Sequence, residues 1–247
     1  MSDRKVDWTV AARATVEPSP YERLIEVDTA CEAHGMPPLS PWWRFSLREF
    51  YDSGKPWGIF LVGRGGGKST SLERVAGSDA YYTARRVPPG QTWTWPFISI
   101  GPDDANRRVD GIEAVYRAIR LPFVGDDTGE ADEKGKAIKV RDGEGASVVH
   151  SPRAALSLKD AHGNLIRLMS IAGTVGNISG PSTIGMTVDE AAKLLDDKKT
   201  HVNPLSEIIA SGSQTSRGRA GWRAIVCSSA WELSGTHYHV LSQQDRA

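Results

Sequence analysis

A glycine-rich segment that ends in a lysine and two hydroxyl residues is the part of the sequence best suited to chemistry; it reads Gly63-Arg64-Gly65-Gly66-Gly67-Lys68-Ser69-Thr70. The apolar run 58–62 precedes it, and residues 71–76 are compatible with a helix. Glycines permit a tight turn whose N–H groups point at one anion, and a following helix adds its positive N-terminal end. Lys68 can reach the β- and γ-phosphates of a nucleotide, and the Ser69 hydroxyl can bind Mg²⁺. The segment predicts a phosphate-binding loop; a glycine-rich surface turn is the alternative.

Two adjacent carboxylates, Asp189 and Glu190, end the apolar run 184–188. In an α/β sheet, ligands bind at the carboxyl ends of the strands. An Asp at that place can hold the Mg²⁺ of a nucleotide, usually through water, and the adjacent Glu can polarise an attacking water. The alternative is that both carboxylates cap a helix that begins at Ala191. With the glycine-rich loop upstream, we expect the pair to complete a nucleotide-hydrolysing site.

Apolar segments of two kinds alternate along the chain, short runs typical of strands and longer ones with helical spacing. The predicted strands are 58–62, 97–100, 154–158, 165–171, 184–188 and 224–227. The predicted helices are 21–34, 42–51, 71–76, 101–119 and 204–210. Residues 122–147 are polar and rich in glycine, so we expect a loop or mobile insertion there. The alternation indicates an α/β fold with a largely parallel central sheet flanked by helices.

Composition limits the classes of protein that the chain can belong to. Its 247 residues, 39% of them hydrophobic, can build one large core, and the 30 basic residues balance the 30 acidic ones. No global positive field therefore draws the chain to DNA or to a membrane. Cys31 and Cys227 lie far apart and form neither a disulfide framework nor a zinc-binding pattern. No apolar run approaches about 18 residues, so we expect a cytosolic protein without a membrane span.

Three motifs stand in order along the chain: the loop at 63–69, Val188-Asp189-Glu190-Ala191, and Val226-Cys227-Ser228-Ser229-Ala230. This set resembles the ATPase domain of the large terminase subunits of tailed phages, which are viral DNA-packaging motors. Those proteins have an arginine early in a variant Walker A loop, which Arg64 matches, and tolerate a non-glycine at the position of Val62. Their Walker B motif ends in Asp-Glu, and a third motif has two hydroxyl residues at a strand end. The resemblance covers about residues 40–232 and implies a P-loop NTPase of the RecA/ASCE type.

The resemblance also implies a role for each matching residue. Residues 63–70 would surround the nucleotide, with Lys68 and Ser69 holding the phosphates and Mg²⁺. Arg64 would sense the γ-phosphate in cis, Asp189 would assist Mg²⁺, and Glu190 would be the catalytic base. Ser228 and Ser229 would couple the state of the γ-phosphate to movement. Trp43, or its neighbour Trp42, lies where the family contacts adenine; packing in the core is the alternative for both rings.

The chain departs from the family in its arginine finger. Many terminases have Arg-Gly about ten residues before the Walker B Asp, and this chain has Ser179-Gly180 there. We therefore assign the finger to Arg217, with Arg219 second, on the polar segment between Walker B and the third motif. A solvated basic loop is the alternative. A finger that acts in trans would make an isolated monomer a poor ATPase.

The resemblance implies an ATP-hydrolysing motor domain that packages double-stranded DNA into a procapsid, with ATP and Mg²⁺ as substrate and cofactor. Its implied partners are duplex DNA, the portal or procapsid, the small terminase and further copies in a ring, in the host cytoplasm. We expect an N-terminal helical segment over 1–40 and an ATPase domain over 41–247, without a nuclease domain. Another P-loop enzyme, helicase-like or kinase-like, and a nucleotide-gated assembly protein with little turnover are the alternatives. The arginine pair 107–108 could contact DNA phosphates or be solvated surface.

Overall fold

The computed structural model describes residues 17–84, 87–131, 137–139, 147–151, 155–173, 182–194, 204–216 and 219–229. The helices are α1 (Pro20–Ala33), α2 (Pro41–Asp52), α3 (Lys68–Tyr82), α4 (Pro102–Ala118) and α5 (Pro204–Ser216), and a 3₁₀ turn spans Ala191–Lys193. The strands are β1 (Trp57–Leu61), β2 (Trp93–Ser99), β3 (Asp127–Ala131), β4 (Ala137–Lys139), β5 (Val148–Ser151), β6 (Ala155–Lys159), β7 (Leu165–Ala172), β8 (Gly185–Val188) and β9 (Arg223–Ser228). No helix in these ranges is long and apolar enough to cross a bilayer.

One seven-stranded sheet carries the functional motifs, with the strand order β1-β9-β8-β2-β7-β6-β5. The first five strands are parallel, and β6 and β5 extend the sheet with antiparallel pairing. Since β1, β9 and β8 are parallel neighbours, their carboxyl ends meet at one edge. The glycine-rich loop follows β1, the carboxylate pair follows β8 and the two serines end β9. The topology therefore brings all three motifs to that edge.

Local sequence signals explain where the first two helices begin. Ser19 and Glu22 form a reciprocal capping box at the start of α1. Ser40 accepts a hydrogen bond from the backbone N–H of Trp43, and Pro41 occupies the first turn of α2. Both helices lie within a residue or two of their predicted bounds, because caps and proline act locally.

The N-terminal segment packs directly on the helix that follows the phosphate loop. Leu24, Val27 and Cys31 of α1 are fully buried. The buried carboxylate of Asp28 accepts hydrogen bonds from Arg74 of α3, from Arg44 of α2 and from the backbone N–H of residue 39. A buried charge is stable only when it is paired in this way. Within the described residues, the boundary predicted at residue 40 therefore does not coincide with a break in packing.

Two segments differ from the prediction. Within 122–147, which we expected to be a loop, β3 and β4 pair as antiparallel strands; their residues are polar on both faces, so no alternation marked them. The strand predicted at 97–100 begins earlier, at Trp93, and runs through Pro96. A proline normally marks an edge strand because it lacks the N–H donor. Here the continuous pairing of β2 with β8 begins only at Phe97, after the proline.

Candidate nucleotide site

The glycine-rich loop adopts a conformation that its glycines make possible. Gly65 and Gly67 have φ values of 77° and 72°, in the left-handed region that favours glycine. The loop departs from the usual pattern at Val62, which is buried and whose N–H donates to the carbonyl of Ser228. A Cβ at Gly66 would lie 2.6 Å from the Val62 side chain. The valine therefore fills the space beneath the loop, and Gly66 must remain without a side chain.

Trp43 supports the loop from below. Its indole Nε1 donates to the carbonyl of Gly66 at 2.7 Å, and its side chain is buried against Phe60 and the core. With only 1% of its surface exposed, its ring offers no open face to a base. The structure thus favours the core-packing alternative for Trp43. Trp42, by contrast, is 49% exposed and borders Trp43 edge to face.

Lys68 joins the three motifs. Its Nζ lies 2.9 Å from Oε1 of Glu190 and also donates to the hydroxyl of Ser229. These residues are 122 and 161 positions away in sequence, so the strand order alone brings them together. The ammonium group is buried except for 9% of the side chain. The Walker A lysine, the second Walker B carboxylate and the second serine of the third motif therefore form one hydrogen-bonded cluster.

The turn after β8 holds Glu190 in an unusual backbone conformation. Its φ is 54°, in the left-handed region where a non-glycine residue is strained by about 1–3 kcal/mol. The N–H of Glu190 donates to Oδ1 of Asp189, and the N–H of Ala192 donates to the hydroxyl of Ser228. Burial raises the pKa of the Glu190 carboxyl, but hydrogen bonds from Lys68 and Lys193 outweigh it and lower that pKa below its ordinary value. Glu190 is therefore a preformed carboxylate.

Asp189 lies behind the cleft. It is 2% exposed, and its Oδ2 accepts a hydrogen bond from Nε of Arg108 on α4 at 3.1 Å. Arg108 also donates to Glu73 of α3 at 3.3 Å. Burial raises the pKa of Asp189 above its ordinary value, although the guanidinium opposes it. Arg108 is therefore an internal ion-pair partner, whereas its neighbour Arg107 is 73% exposed and remains available to solvent.

The cleft itself has a volume of about 750 Å³ and is lined by residues 63–70, Glu190, Lys193 and Ser229. Three cations, Arg64, Lys68 and Lys193, face one anion there, so the lining favours a polyanion. In the described ranges, no cluster of three or more His, Cys, Asp or Glu side chains could hold a metal ion unaided. The hydroxyl of Ser69 and the shielded carboxylate of Asp189 are hard oxygen ligands and fit a Mg²⁺ that arrives with phosphates and keeps several waters.

The predicted finger residues lie apart from this cleft. Arg219 precedes β9, at the amino end of the strand, and six residues of β9 separate it from Ser229, roughly 20 Å. Its guanidinium donates to the carbonyl of Thr183 and stacks on Trp93. Burial lowers the pKa of Arg219. In this chain Arg219 thus packs on the far edge of the sheet, and Arg217 lies outside the described residues.

Sequence reasoning did not single out Lys193 or Glu73, and it did not foresee the partners of Arg108. Lys193 stands three residues after Glu190, a spacing that permits an ion pair on one helical turn, and this signal was available. The partners of Arg108 depend on how α4 packs against α3 and β8, and nothing local in the sequence encodes that packing.

The phosphate loop after β1, the carboxylate pair after β8 and the single strand between them define the class. The chain has the fold of a P-loop NTPase of the RecA/ASCE type. Among solved structures, it is similar to the large terminase of bacteriophage HK97, with a TM-score of 0.56 and 13% identity over 92% of this chain and 41% of that one.

Two further structures agree. The ATPase domain of the Thermus phage P74-26 large terminase has a TM-score of 0.53 and 16% identity, over 88% of this chain and 72% of that one. The large terminase of another thermophilic bacteriophage gives 0.54 and 13%, over 85% of this chain and 44% of that one. No protein-family model and no curated protein matches the sequence. The chain spans less than half of the HK97 protein and of this last terminase. The expected resemblance is thus confirmed: the chain has the fold of a large terminase ATPase domain.

Proposed function

We propose that this chain is an ATP-hydrolysing motor domain that packages double-stranded viral DNA. The observation that carries the proposal is the cluster of Lys68, Glu190 and Ser229. It unites a phosphate-binding cation, a carboxylate base and a hydroxyl on the neighbouring strand. The terminase ATPase fold around that cluster supports the choice of a packaging motor over other P-loop enzymes.

The residues of the cleft divide the work of hydrolysis. The loop N–H groups and Lys68 would bind the β- and γ-phosphates, and Arg64 at the rim would contact the γ-phosphate. Mg²⁺, held by Ser69 and through water by Asp189, would neutralise phosphate charge. Glu190 would accept a proton from water as its oxygen bonds to the γ-phosphorus and the bond to the ADP oxygen breaks. Ser229, which contacts Lys68 before nucleotide binds, would report the exchange to β9.

The proposal includes duplex DNA, a portal or procapsid, a small terminase and neighbouring copies as partners, and the host cytoplasm as location. Balanced overall charge means that DNA must meet a local surface. The cleft as described lacks an arginine finger from the same chain, since Arg219 packs elsewhere. We therefore assign the finger to Arg217 of a neighbouring copy, which makes activity depend on assembly.

ATP turnover per subunit, measured across protein concentrations with and without duplex DNA, tests the motor. It should climb with concentration and with DNA, and Glu190→Gln should abolish it. Turnover that is flat in both variables would point to a self-contained P-loop enzyme. Turnover equal to that of the Glu190→Gln variant would indicate an assembly protein gated by nucleotide.

A mixing experiment tests the finger. Arg217→Ala and Glu190→Gln should each lose most activity, because a finger contributes about 10³–10⁵ in rate and the base is essential. A mixture should recover turnover, since an Arg217→Ala subunit keeps its base and can receive the finger of a Glu190→Gln neighbour. Arg219→Ala is the matched control and should need no rescue. A mixture that stays inactive would refute a finger in trans.

A further inference from the structure

Lys193 is a cleft residue that none of the three motifs includes. Its Nζ lies 3.2 Å from Oε2 of Glu190, whereas Nζ of Lys68 lies 2.9 Å from Oε1. The two carboxylate oxygens thus face different cations, one on the phosphate loop helix and one on the turn after β8. The side chain of Lys193 is 32% exposed and lines the cleft.

The two cations are not equivalent once phosphate enters. Lys68 is the first residue of α3 and lies at the glycine-rich loop, where a phosphate would attract its ammonium group away from Glu190. Lys193 belongs to the same turn as Glu190, three residues later, and its backbone N–H donates to the carbonyl of Glu190 at 2.8 Å. Its contact with the carboxylate therefore depends only on the turn and needs no contribution from the loop.

Glu190 needs such a partner because its position is otherwise weakly fixed. The residue has a left-handed backbone conformation and does not belong to a regular helix. The hydrogen bond to Oδ1 of Asp189 and that from Ala192 to Ser228 fix the backbone of the turn. Apart from the bond with Lys68, the ion pair with Lys193 is the contact described here that fixes the carboxylate.

We infer that Lys193 is the positioning residue of the catalytic base. When Lys68 moves to phosphate, Lys193 keeps hold of Oε2 and leaves Oε1 directed into the cleft to receive the proton of the attacking water. This inference rests on the proposed function, since it assigns a task within ATP hydrolysis. It differs from a role in phosphate binding, which would make Lys193 a ligand of the nucleotide.

Calorimetric binding of MgADP and steady-state ATP turnover, measured on the full chain, separate these roles. Lys193→Met should lower kcat about tenfold or more and leave the dissociation constant of MgADP within about twofold. Lys193→Arg, which keeps the charge, should recover turnover to within about threefold. Lys55→Met, at an exposed site before β1, is the matched control and should change neither quantity.

Combination with Glu190→Gln supplies the readout that a structural role would not move. In that background, Lys193→Met should cause no further loss of turnover, because there is no charged base left to position. Weaker MgADP binding with unchanged kcat, faster turnover in Lys193→Met, or no effect at all would each overturn the inference. A wild-type chain without turnover would instead refute the proposed function, and with it this role.

Discussion

Glu73 is a buried carboxyl group whose negative charge the structure tolerates poorly. Burial raises its pKa from an ordinary 4.5 to about 7, with Asp189 adding to the rise and the guanidinium groups of Arg108 and Arg74 opposing it. Its carboxyl lies so close to α4 that a Cβ at Gly111 would overlap it. Between pH 4.5 and 7 the folded chain therefore binds more protons than the unfolded one, and stability falls as the pH rises.

The size of this effect follows from the pKa difference. Each pH unit of difference corresponds to about 1.4 kcal/mol, so the ionised Glu73 should cost about 3 kcal/mol above pH 7. Glu73→Gln keeps the shape and an acceptor for Arg108 but cannot ionise. Relative to wild type, the variant should gain about 2–3 kcal/mol more unfolding free energy at pH 8 than at pH 5.

Urea unfolding of both proteins at the two pH values measures the difference directly. Glu49→Gln, on the exposed side of α2, is the matched control and should show no pH-dependent gain. A Glu73→Gln variant that is no more stable at pH 8 than wild type, or that gains equally at both pH values, would refute the reasoning that burial of the charge outweighs its ion pairs.

Three further substitutions test the geometry of the site and of the sheet. Trp43→Phe removes the hydrogen bond to Gly66, worth about 1 kcal/mol; it should weaken ATP and inorganic tripolyphosphate by the same factor, up to about fivefold, and a loss confined to ATP would indicate adenine stacking instead. Ser229→Ala frees Lys68 from one partner, so calorimetry should show undiminished ADP binding while turnover falls; equal loss of both would contradict this role. Gly185→Ala places a Cβ 2.5 Å from a backbone oxygen of β9 and should cost about 1–3 kcal/mol in thermal unfolding, and an unchanged Tm would contradict the close approach.

The parts of the fold that could be predicted are those in which the signal is local. The glycine-rich loop needs left-handed glycines at positions such as Gly65 and Gly67, and their sequence spacing shows it. The approach of Glu190 to Lys68 followed from a general rule, because carboxyl ends of parallel strands share one edge. Ser229 was expected at the same edge for the same reason, and the structure brings all three together.

The remainder depended on packing between distant elements. Arg108 looked like one half of an exposed arginine pair, and only the approach of α4 to β8 gives it Asp189 as a partner. Pro96 argued against a long central strand, yet β2 continues through it because its partner β8 pairs only beyond the proline. The burial of Trp43 beneath the loop was left open by the sequence, since an aromatic helix can serve a core or a base equally well.

The account turns on whether the cleft between the phosphate loop and Glu190 hydrolyses ATP. The most direct measurement compares wild type and Glu190→Gln for ATP binding and for turnover in the same preparation. The account predicts an ATP dissociation constant within about threefold of wild type, because Lys68 and the loop remain, and turnover lower by about 10²–10⁴-fold, the typical contribution of a general base. Equal turnover in the two proteins would contradict it, as would a wild-type chain that binds no ATP.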